Sequence, residues 1–253
     1  MKNNILVVDI GNSSTSLGLY ADDRVIKSIA LATEGMTQSE REAQIKKLIG
    51  RSCPLGVCAC SVVPNLKASW ERVFRRQGLR DVFWVSHKAK LGVRIQYPKP
   101  SKIGPDRLAN ASAVWHRYGA PAIVADFGTA LTFDIVSRGG AYTGGIIAPG
   151  LPLMFSYLAD KTALLPHIEP GPVRGYAGKS TEDAMRLGAK WGYRGMVREI
   201  LKELKSKMGR GVTVCATGGY ASWVIRGLDR SIKIDQDLTL YGLGKIYELN
   251  RES

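Results

Sequence analysis

The sequence contains no long apolar run of the kind that crosses a membrane or directs secretion. The apolar run over residues 5–10 includes Asp9 and is shorter than the core of a secretory signal. The longest uncharged stretch, residues 139–159, is interrupted by glycines and prolines, which favour a loop-rich segment of a globular fold. The sequence therefore predicts neither a leader nor a membrane partner.

Paired cysteines are also missing. The four cysteines have no C-x-x-C spacing and no histidine nearby that could complete a zinc site. We therefore expect reduced, buried thiols in a cytoplasmic protein rather than disulfides or structural zinc. These cysteines are Cys53, Cys58, Cys60 and Cys215.

Acidic residues are scarce relative to basic ones. The chain has 36 Lys and Arg against 22 Asp and Glu, a formal net charge of +14, and residues 1–120 hold 19 of the basic and 9 of the acidic residues. Such a field attracts nucleotides, acidic metabolites or nucleic acid, but it is more often simply a solvated basic surface. No aromatic residues are interleaved with the basic ones in the manner of nucleic-acid-binding motifs, so a nucleic-acid partner is not expected.

The remaining composition is that of a globular protein. Apolar residues make up 45% of the chain and charged residues 23%. A length of 253 residues suits one large domain or two of ordinary size, either of which buries a substantial core.

The first distinctive stretch is an apolar strand, a polar turn and a second apolar strand over residues 5–20. Glycine in such a turn lets backbone N–H groups approach a phosphate, and the acid at the strand end is suited to a hydrated Mg²⁺. An ordinary hairpin with a polar turn is the alternative interpretation. The candidate nucleotide-binding residues are Asp9, Ile10, Gly11, Asn12, Ser13, Ser14, Thr15 and Ser16.

The same pattern recurs half a chain later. Residues 122–136 again read strand, Asp-x-Gly, turn and strand, with Asp126 and Gly128 placed 117 residues after Asp9 and Gly11. The recurrence predicts a duplicated protein with domains over residues 1–118 and 119–253. Two facing hairpins would form one interdomain cleft, which is a preferred place for a ligand.

Local patterns predict the elements between and after the hairpins. Gly104-Pro105-Asp106-Arg107 opens a helix, because proline is tolerated at the first helical position. Its expected buried stripe is Leu108, Ala111, Trp115 and Tyr118. Further helices are predicted over residues 39–49, 65–77, 153–160 and 238–249, and strands over 25–31, 55–63, 81–86, 93–97, 141–147 and 212–216.

Two features of the C-terminal half carry further predictions. Ser180 or Thr181 caps a long helix, and Gly188, Gly192 and Gly195 within it predict close packing against another helix or a dimer partner. The strand over residues 212–216 runs into Thr217-Gly218-Gly219 at a helix start, a joint that lets a flat ligand approach the backbone and that also occurs for packing alone.

Together these motifs resemble the superfamily of acetate and sugar kinases, Hsp70 and actin, and within it type III pantothenate kinase. The resemblance covers essentially the whole chain and implies an α/β fold of two ribonuclease-H-like, actin-like ATPase domains with mixed sheets flanked by helices. Five motifs in the family's order carry it: Asp9-Ile10-Gly11-Asn12-Ser13, Gly104-Pro105-Asp106-Arg107, Asp126-Phe127-Gly128-Thr129-Ala130-Leu131-Thr132, Gly178-Lys179-Ser180-Thr181 and Thr217-Gly218-Gly219.

The resemblance also implies a role for individual residues. Asp106 becomes the general base for the primary hydroxyl of pantothenate, and a first-turn aspartate is expected to have a lowered pKa. Without the other motifs, Asp106 would read as a helix-capping acid and Tyr97 as a core aromatic at a strand end. The resemblance assigns Tyr97, Gly104, Pro105, Arg107 and Thr181 to pantothenate, Thr129, Gly218 and Gly219 to ATP, and Asp126 to a monovalent cation, K⁺ or NH₄⁺.

The chain departs from the family pattern near the pantothenate motif. Pro98 and Lys99 stand where the family usually has Asp-Asn, and Pro105 replaces a small residue. These changes stiffen the approach to Asp106 and add charge. Ser13 and Ser14 replace the usual Thr-Asn but keep hydrogen-bonding side chains.

The resemblance thus predicts an ATP- and Mg²⁺-dependent kinase that makes 4'-phosphopantothenate as the first step of coenzyme A biosynthesis, working as a cytoplasmic homodimer. Two alternatives stay open at this point. One is a kinase of the same superfamily acting on another small alcohol. The other is a regulator related to the Bvg accessory factor, which the +14 charge would suit although no helix combines basic with base-reading residues.

Overall fold

The computed structural model describes residues 4–251, which form two compact units. The first unit contains the chain up to Ala120, Val136–Gly144 and the residues from Asp237 onward, and the second contains Pro121–Ile135 and Gly145–Gln236. The predicted boundary between residues 118 and 119 lies close to the first division, but the C-terminal segment belongs with the first unit rather than the second.

Helices and strands are interspersed along the chain. The helices are α1 Gln38–Ile49, α2 Lys67–Arg76, α3 Pro105–Tyr118, α4 Leu151–Lys161, α5 Thr181–Gly188, α6 Arg194–Met208, α7 Ala221–Ile225 and α8 Leu238–Arg251. The strands are β1 Ile5–Ile10, β2 Ser14–Ala21, β3 Arg24–Ala32, β4 Val57–Ser61, β5 Val82–Trp84, β6 Arg94–Ile95, β7 Ala122–Phe127, β8 Ala130–Val136, β9 Ala141–Pro149, β10 Thr213–Thr217 and β11 Lys233–Ile234.

The first unit is built on a mixed sheet with strand order β3-β2-β1-β4-β5. β1 pairs antiparallel with β2 along one edge and parallel with β4 along the other. The first pairing is a hairpin and the second requires a crossover connection. Because side chains alternate along a strand, Leu6, Val8 and Ile10 share one face. That face packs with Ile45 of α1 and Trp70 of α2 in one buried cluster.

Helices α3 and α8 pack together in the first unit, and α8 also contacts β1, β2 and β4. A buried hydrogen bond joins the two helices, from the Thr239 hydroxyl to the Asn110 side-chain oxygen at 2.7 Å. A Cβ at Gly242 would collide with the Ala109 carbonyl, so glycine sets the close approach of the helices. Residues 108–114 of α3 are consecutively buried, whereas Trp115 and Tyr118 of the predicted stripe are half-buried.

The turn between β2 and β3 anchors α8 through one carboxylate. Asp22 and Asp23 have φ values of 51° and 57°, the left-handed conformation of a tight hairpin turn. The Tyr20 and Tyr241 hydroxyls donate to Asp23 Oδ1 at 3.2 and 3.1 Å, and Lys245 Nζ lies 3.2 Å from the same oxygen. These contacts lower the pKa of Asp23 and hold the C-terminal helix on the first sheet.

The second unit has a sheet in which β11, β10, β7, β8 and β9 are successive neighbours. β10 runs parallel to both β7 and β11. The inward side chains of β7, β8 and β10 form one buried cluster with residues of α4, α5, α6 and α7. The expected α/β architecture, with mixed sheets flanked by helices, is confirmed.

Several sequence predictions differ from the structure. The long helix from Thr181 is interrupted by a π-helical turn over Ala189–Tyr193, and the short strand β11 was not predicted. A Cβ at Gly188, Gly192 or Gly195 would meet no atom within 4 Å, so the predicted close packing of these glycines inside the chain is wrong. Cys53 is exposed, whereas the other three cysteines are buried as expected, and none of these four residues is joined in a disulfide.

Candidate functional site

The turn after β1 is closed by its own backbone. Gly11 N donates to the Ser14 carbonyl at 3.0 Å, and a Cβ at Gly11 would lie 2.8 Å from that oxygen. Only glycine fits this closure without displacing backbone. Asn12, Ser13 and Ser14 are exposed, so their polar groups face solvent at the end of the strand.

Thr33, just beyond β3, holds the turn after β1 through hydrogen bonds. The sequence pattern did not single out this residue. Its N–H donates to the Ser13 carbonyl at 3.0 Å and its hydroxyl donates to the Gly11 carbonyl at 2.8 Å. Because a hydroxyl has one proton, the 3.0 Å bond between the Thr15 and Thr33 hydroxyls must be donated by Thr15. Thr15 and Ile10 are fully buried, so any nucleotide contact at these two predicted positions is left to their backbone atoms.

Asp9 lies near the carboxyl end of β1, beside the neighbouring parallel strand. Cys60 of β4 is its register partner, and Cys60 Sγ donates to Asp9 Oδ1 at 3.1 Å. Asp9 is half-buried, whereas Cys60 is fully buried. The Asp9 and Asp106 carboxylates both act electrostatically on the Cys60 thiol, so the structure brings these three groups together in the first unit.

Asp106 lies in the first turn of α3, directly after Pro105 as predicted. Its Oδ1 accepts the Arg107 backbone N–H at 2.8 Å. Burial nevertheless raises the pKa of Asp106, because desolvation outweighs the lowering effects of that hydrogen bond and of the Arg107 charge. The expectation of a lowered pKa is therefore wrong, since it considered the helix terminus and not the surrounding protein.

Arg107, next to Asp106 in α3, lies near two tyrosines, Tyr97 and Tyr142. The Arg107 guanidinium lies over the Tyr142 ring, 5.9 Å from its centroid, and the Tyr97 and Tyr142 ring centroids are 6.3 Å apart. Tyr97 is 39% exposed, which argues against a purely core role. The sequence did not single out Tyr142, because only the pairing of β6 with the start of β9 brings it beside Tyr97.

In the second unit, the repeated Asp-x-Gly motif lies next to the Thr217-Gly218-Gly219 motif. Thr217 at the end of β10 is the register partner of Asp126 at the end of β7. Gly218 has φ 89°, and a Cβ there would lie 2.7 Å from both Asp126 Oδ1 and the Phe127 carbonyl carbon. Gly219 is exposed, with open space where a Cβ would stand. Glycine thus lets the two motifs touch and leaves an open backbone surface beside them.

The N-terminus of α4 is a further component that the sequence did not indicate. Gly150 precedes α4, and a Cβ there would collide with the Gly128 and Thr129 carbonyls. The start of an eleven-residue helix therefore abuts the second Asp-x-Gly turn. Helix N-termini present unpaired N–H groups and a partial positive charge, which favour phosphate.

The remaining predicted residue, Thr181, begins α5. Ser180 is the N-cap, and its hydroxyl accepts the Asp183 N–H at 3.1 Å. Thr181 is exposed and belongs to the second unit, whereas Tyr97 and residues 104–107 belong to the first.

Two features are absent from residues 4–251, the part of the chain that the structure describes. Within that range, no helix combines the length and the apolar character needed to cross a membrane. The same residues contain no group of three or more His, Cys, Asp or Glu side chains arranged to hold a metal ion.

Solved structures share this fold at low sequence identity. A Campylobacter jejuni protein classed in the Baf family of transcriptional activators aligns with a TM-score of 0.61 and 18% identity, covering 98% of this chain and 100% of that one. A Clostridium difficile activator of 2-hydroxyisocaproyl-CoA dehydratase, solved with bound ADPNP, gives a TM-score of 0.54 and 12% identity, covering 99% and 98%. These similarities confirm the actin-like ATPase fold.

Sequence comparisons identify the family. The model for type III pantothenate kinase matches residues 5–203. A type III pantothenate kinase of Methylacidiphilum infernorum is 42% identical over 249 residues, covering 97% of this chain and 88% of that protein. One of Akkermansia muciniphila is 39% identical over 238 residues, covering 94% and 96%. The chain therefore belongs to the type III pantothenate kinase family.

Proposed function

We propose that this kinase transfers the γ-phosphoryl group of ATP to the primary hydroxyl of pantothenate, with Asp106 as the group that receives the hydroxyl proton. The observation that carries the proposal is the cluster at the start of α3. There the Asp106 carboxyl, whose pKa is raised, lies beside Arg107. Asp106 and Asp9 also interact electrostatically with the same buried thiol, that of Cys60.

The part of the proposed site that binds pantothenate, the phosphoryl acceptor, consists of Arg107, Tyr97 and Asp106. An arginine guanidinium matches a carboxylate in shape and charge, and stacking near Tyr142 limits its freedom before substrate arrives. Tyr97 offers a partly exposed ring beside the same tyrosine, and a Cβ added at Gly144, which has φ 122°, would lie 3.5 Å from that ring. We assign the pantothenate carboxylate or carbonyl to Arg107, and contacts along the substrate to Tyr97, Gly104, Pro105 and Thr181.

Asp106 is well placed for the chemistry because desolvation makes its carboxylate a better base than an ordinary aspartate. Phosphoryl transfer passes through a loose transition state in which the enzyme mainly positions donor and acceptor. The carboxylate therefore orients the hydroxyl toward the phosphorus and accepts its proton late in the transfer.

We assign ATP to the turns that follow β1 and β7 and to Gly218 and Gly219. The exposed Asn12–Ser14 turn and Thr129 supply hydroxyl and N–H donors for phosphates. The N-terminus of α4 adds the partial positive charge of a helix start, although Pro152 contributes no N–H there. Gly218 and Gly219 present bare backbone to the adenosine.

Two cations complete the proposal. Asp9 is a half-buried carboxylate at the strand end and suits Mg²⁺ held through water, and Asp126 suits K⁺ or NH₄⁺ in the same way. When bound, Mg²⁺ neutralises phosphate charge. The chain contributes fixed carboxylates: Asp9 is oriented by Cys60, and Asp126 lies against Gly218. We also assign the protein to the cytoplasm, because the proposed reaction consumes ATP and belongs to coenzyme A biosynthesis.

A coupled assay tests the function directly. Purified protein with ATP and Mg²⁺ is expected to release ADP only when pantothenate is added, and faster with K⁺ than with Na⁺. A panel of other small alcohols should give little turnover. If another alcohol is used and pantothenate is not, the substrate assignment is wrong. Absence of turnover together with saturable DNA binding would favour the regulator.

We also propose a homodimer formed by the second unit. Large apolar side chains are exposed on α4, on the following loop and on the π-helical turn, and such patches mark interaction surfaces. Tyr157 is 65% exposed and Trp191 50%. Pro149, Leu153, Met154 and Tyr157 line an open apolar groove of about 670 Å³.

The dimer predicts that Tyr157→Glu and Trp191→Glu reduce the apparent mass. The native protein should sediment near twice the chain mass of 27.6 kDa, and the variants should shift toward one chain mass without a fall in melting temperature. Lys88→Glu, an exposed charge change in the first unit, is the control and should leave the mass unchanged. A native protein that sediments as a monomer at micromolar concentration would refute the proposal.

A further inference from the structure

Cys60 is a buried thiol that the proposed chemistry does not use. It lies on β4 with no exposed surface, and it is the register partner of Asp9 across the parallel β1–β4 pair. Its Sγ donates to Asp9 Oδ1 at 3.1 Å. Within sulfur hydrogen-bonding distance, the thiol therefore contacts the carboxylate that the proposal assigns to Mg²⁺ and phosphate.

The register explains why this contact forms. Val7 pairs with Cys58 and Asp9 with Cys60, and paired residues of neighbouring strands point to the same side of a sheet. Cys58, Cys60 and Asp9 thus share the face opposite Leu6, Val8 and Ile10, which enter the α1–α2 cluster. A residue at position 60 is the cross-strand neighbour of Asp9, whereas one at position 58 is not.

The thiol at this position acts only as a proton donor. Cys60 Sγ is the donor atom of the bond to Asp9, because an ionised carboxylate oxygen can only accept. A single S–H has one direction in which to donate, and here it donates to Asp9 Oδ1. A bond to one carboxylate oxygen fixes the rotation of that group about its Cβ–Cγ bond.

We infer that Cys60 is a positioning residue for the phosphate end of the nucleotide site, where its thiol holds the Asp9 carboxylate in the orientation that binding of the Mg²⁺–nucleotide complex requires. The inference rests on the proposed function, because it needs Asp9 to serve the nucleotide. It assigns Cys60 no contact with substrate and no role in proton transfer.

The test compares Cys60→Ala, Cys60→Val and Cys60→Ser by titration calorimetry with ADP, with and without Mg²⁺. Loss of one hydrogen bond to a carboxylate should weaken Mg²⁺–ADP binding about three- to tenfold in the alanine and valine variants. Binding of ADP without Mg²⁺ should change little. Serine also donates a proton, so Cys60→Ser should bind within about twofold of the native protein.

Steady-state kinetics give a second readout. KM for MgATP should rise in Cys60→Ala and Cys60→Val by a factor similar to that seen in calorimetry, while kcat and KM for pantothenate change less. Cys58→Ala is the matched control, because it removes a fully buried thiol from the same strand and face but from the position opposite Val7. It should bind Mg²⁺–ADP like the native protein.

The outcomes separate this inference from the proposed function. Native protein that binds Mg²⁺–ADP, with Cys60→Val binding equally well, would overturn the inference and leave the kinase assignment intact. Equal losses in Cys58→Ala and Cys60→Val would also overturn it, because general packing would then explain both. Native protein that binds no Mg²⁺–nucleotide would refute both. If Cys60→Ala does not fold, the serine and valine pair decides.

Discussion

Asp106→Asn is expected to lower kcat roughly 100- to 10,000-fold, the range for loss of a positioned general base. Asparagine keeps the side-chain oxygen that accepts the Arg107 N–H, so the start of α3 should be preserved. The variant should therefore still bind ATP and pantothenate in calorimetry. Steady-state ADP release with saturating substrates measures the effect, and unchanged turnover would remove the role given to Asp106.

The raised pKa of Asp106 also predicts a change in stability with a definite sign. A carboxyl whose pKa is higher in the folded state stabilises the fold at pH values below its unfolded pKa of about 3.9. That contribution is lost as the pH rises through the folded pKa. Asp106→Asn carries no charge at any pH, so it should melt above the native protein at pH 7, and the difference should shrink as the pH falls to about 4.

Asp22→Asn is the matched control for Asp106→Asn. Asp22 lies in the exposed β2–β3 turn with φ 51°, a conformation that asparagine tolerates. This variant has the same change of charge and should keep native activity. The pH profile of kcat/KM gives a further check, since its acidic limb should lie above the pH at which an ordinary aspartate titrates. A limb at ordinary aspartate values would contradict the assignment of desolvation as the dominant cause.

Gly218→Ala is expected to reduce the free energy of unfolding by about 2–4 kcal/mol, from left-handed backbone strain and steric overlap together. The residue has φ 89°, and the added Cβ would lie 2.7 Å from Asp126 Oδ1 and from the Phe127 backbone. Backbone cannot move aside as a flexible side chain does. Urea unfolding measures the loss, and we expect KM for ATP to rise because Asp126 and the end of β10 are displaced.

The neighbouring glycine provides the control. A Cβ at Gly219 would meet no atom within 4 Å, so Gly219→Ala should change the free energy of unfolding by less than about 0.5 kcal/mol. If a flat ligand approaches the backbone here, Gly219→Ala should still weaken ATP binding. A Gly218→Ala protein as stable as the native one would show that the second unit tolerates side chains between its two motifs.

The sequence indicated the chemical groups well because short motifs carry them. A strand end with one acid, a glycine turn and exposed hydroxyls is defined within about eight residues, and the start of α3 is set by Pro105. The structure places these motifs on the elements that the sequence predicted. The five motifs in order also led to the family that the comparisons confirm.

Packing between distant residues was not accessible from the sequence. Thr33 lies 22 residues from the Gly11 carbonyl that it binds, and Tyr142 reaches the Arg107 guanidinium only because β9 begins beside β6. No local pattern marks either contact. The π-helical turn over Ala189–Tyr193 was likewise not predicted from the sequence.

By itself, the sequence determined the Asp9 and Asp126 hairpins, the Gly104–Arg107 helix start and hence the family, because turns, caps and strand ends are set by residues adjacent in the chain. Only the tertiary structure decided that α8 joins the first unit, that the Cys60 thiol donates to Asp9 and that the pKa of Asp106 is raised. The physical reason is that desolvation and cross-strand contact depend on which distant residues surround a group.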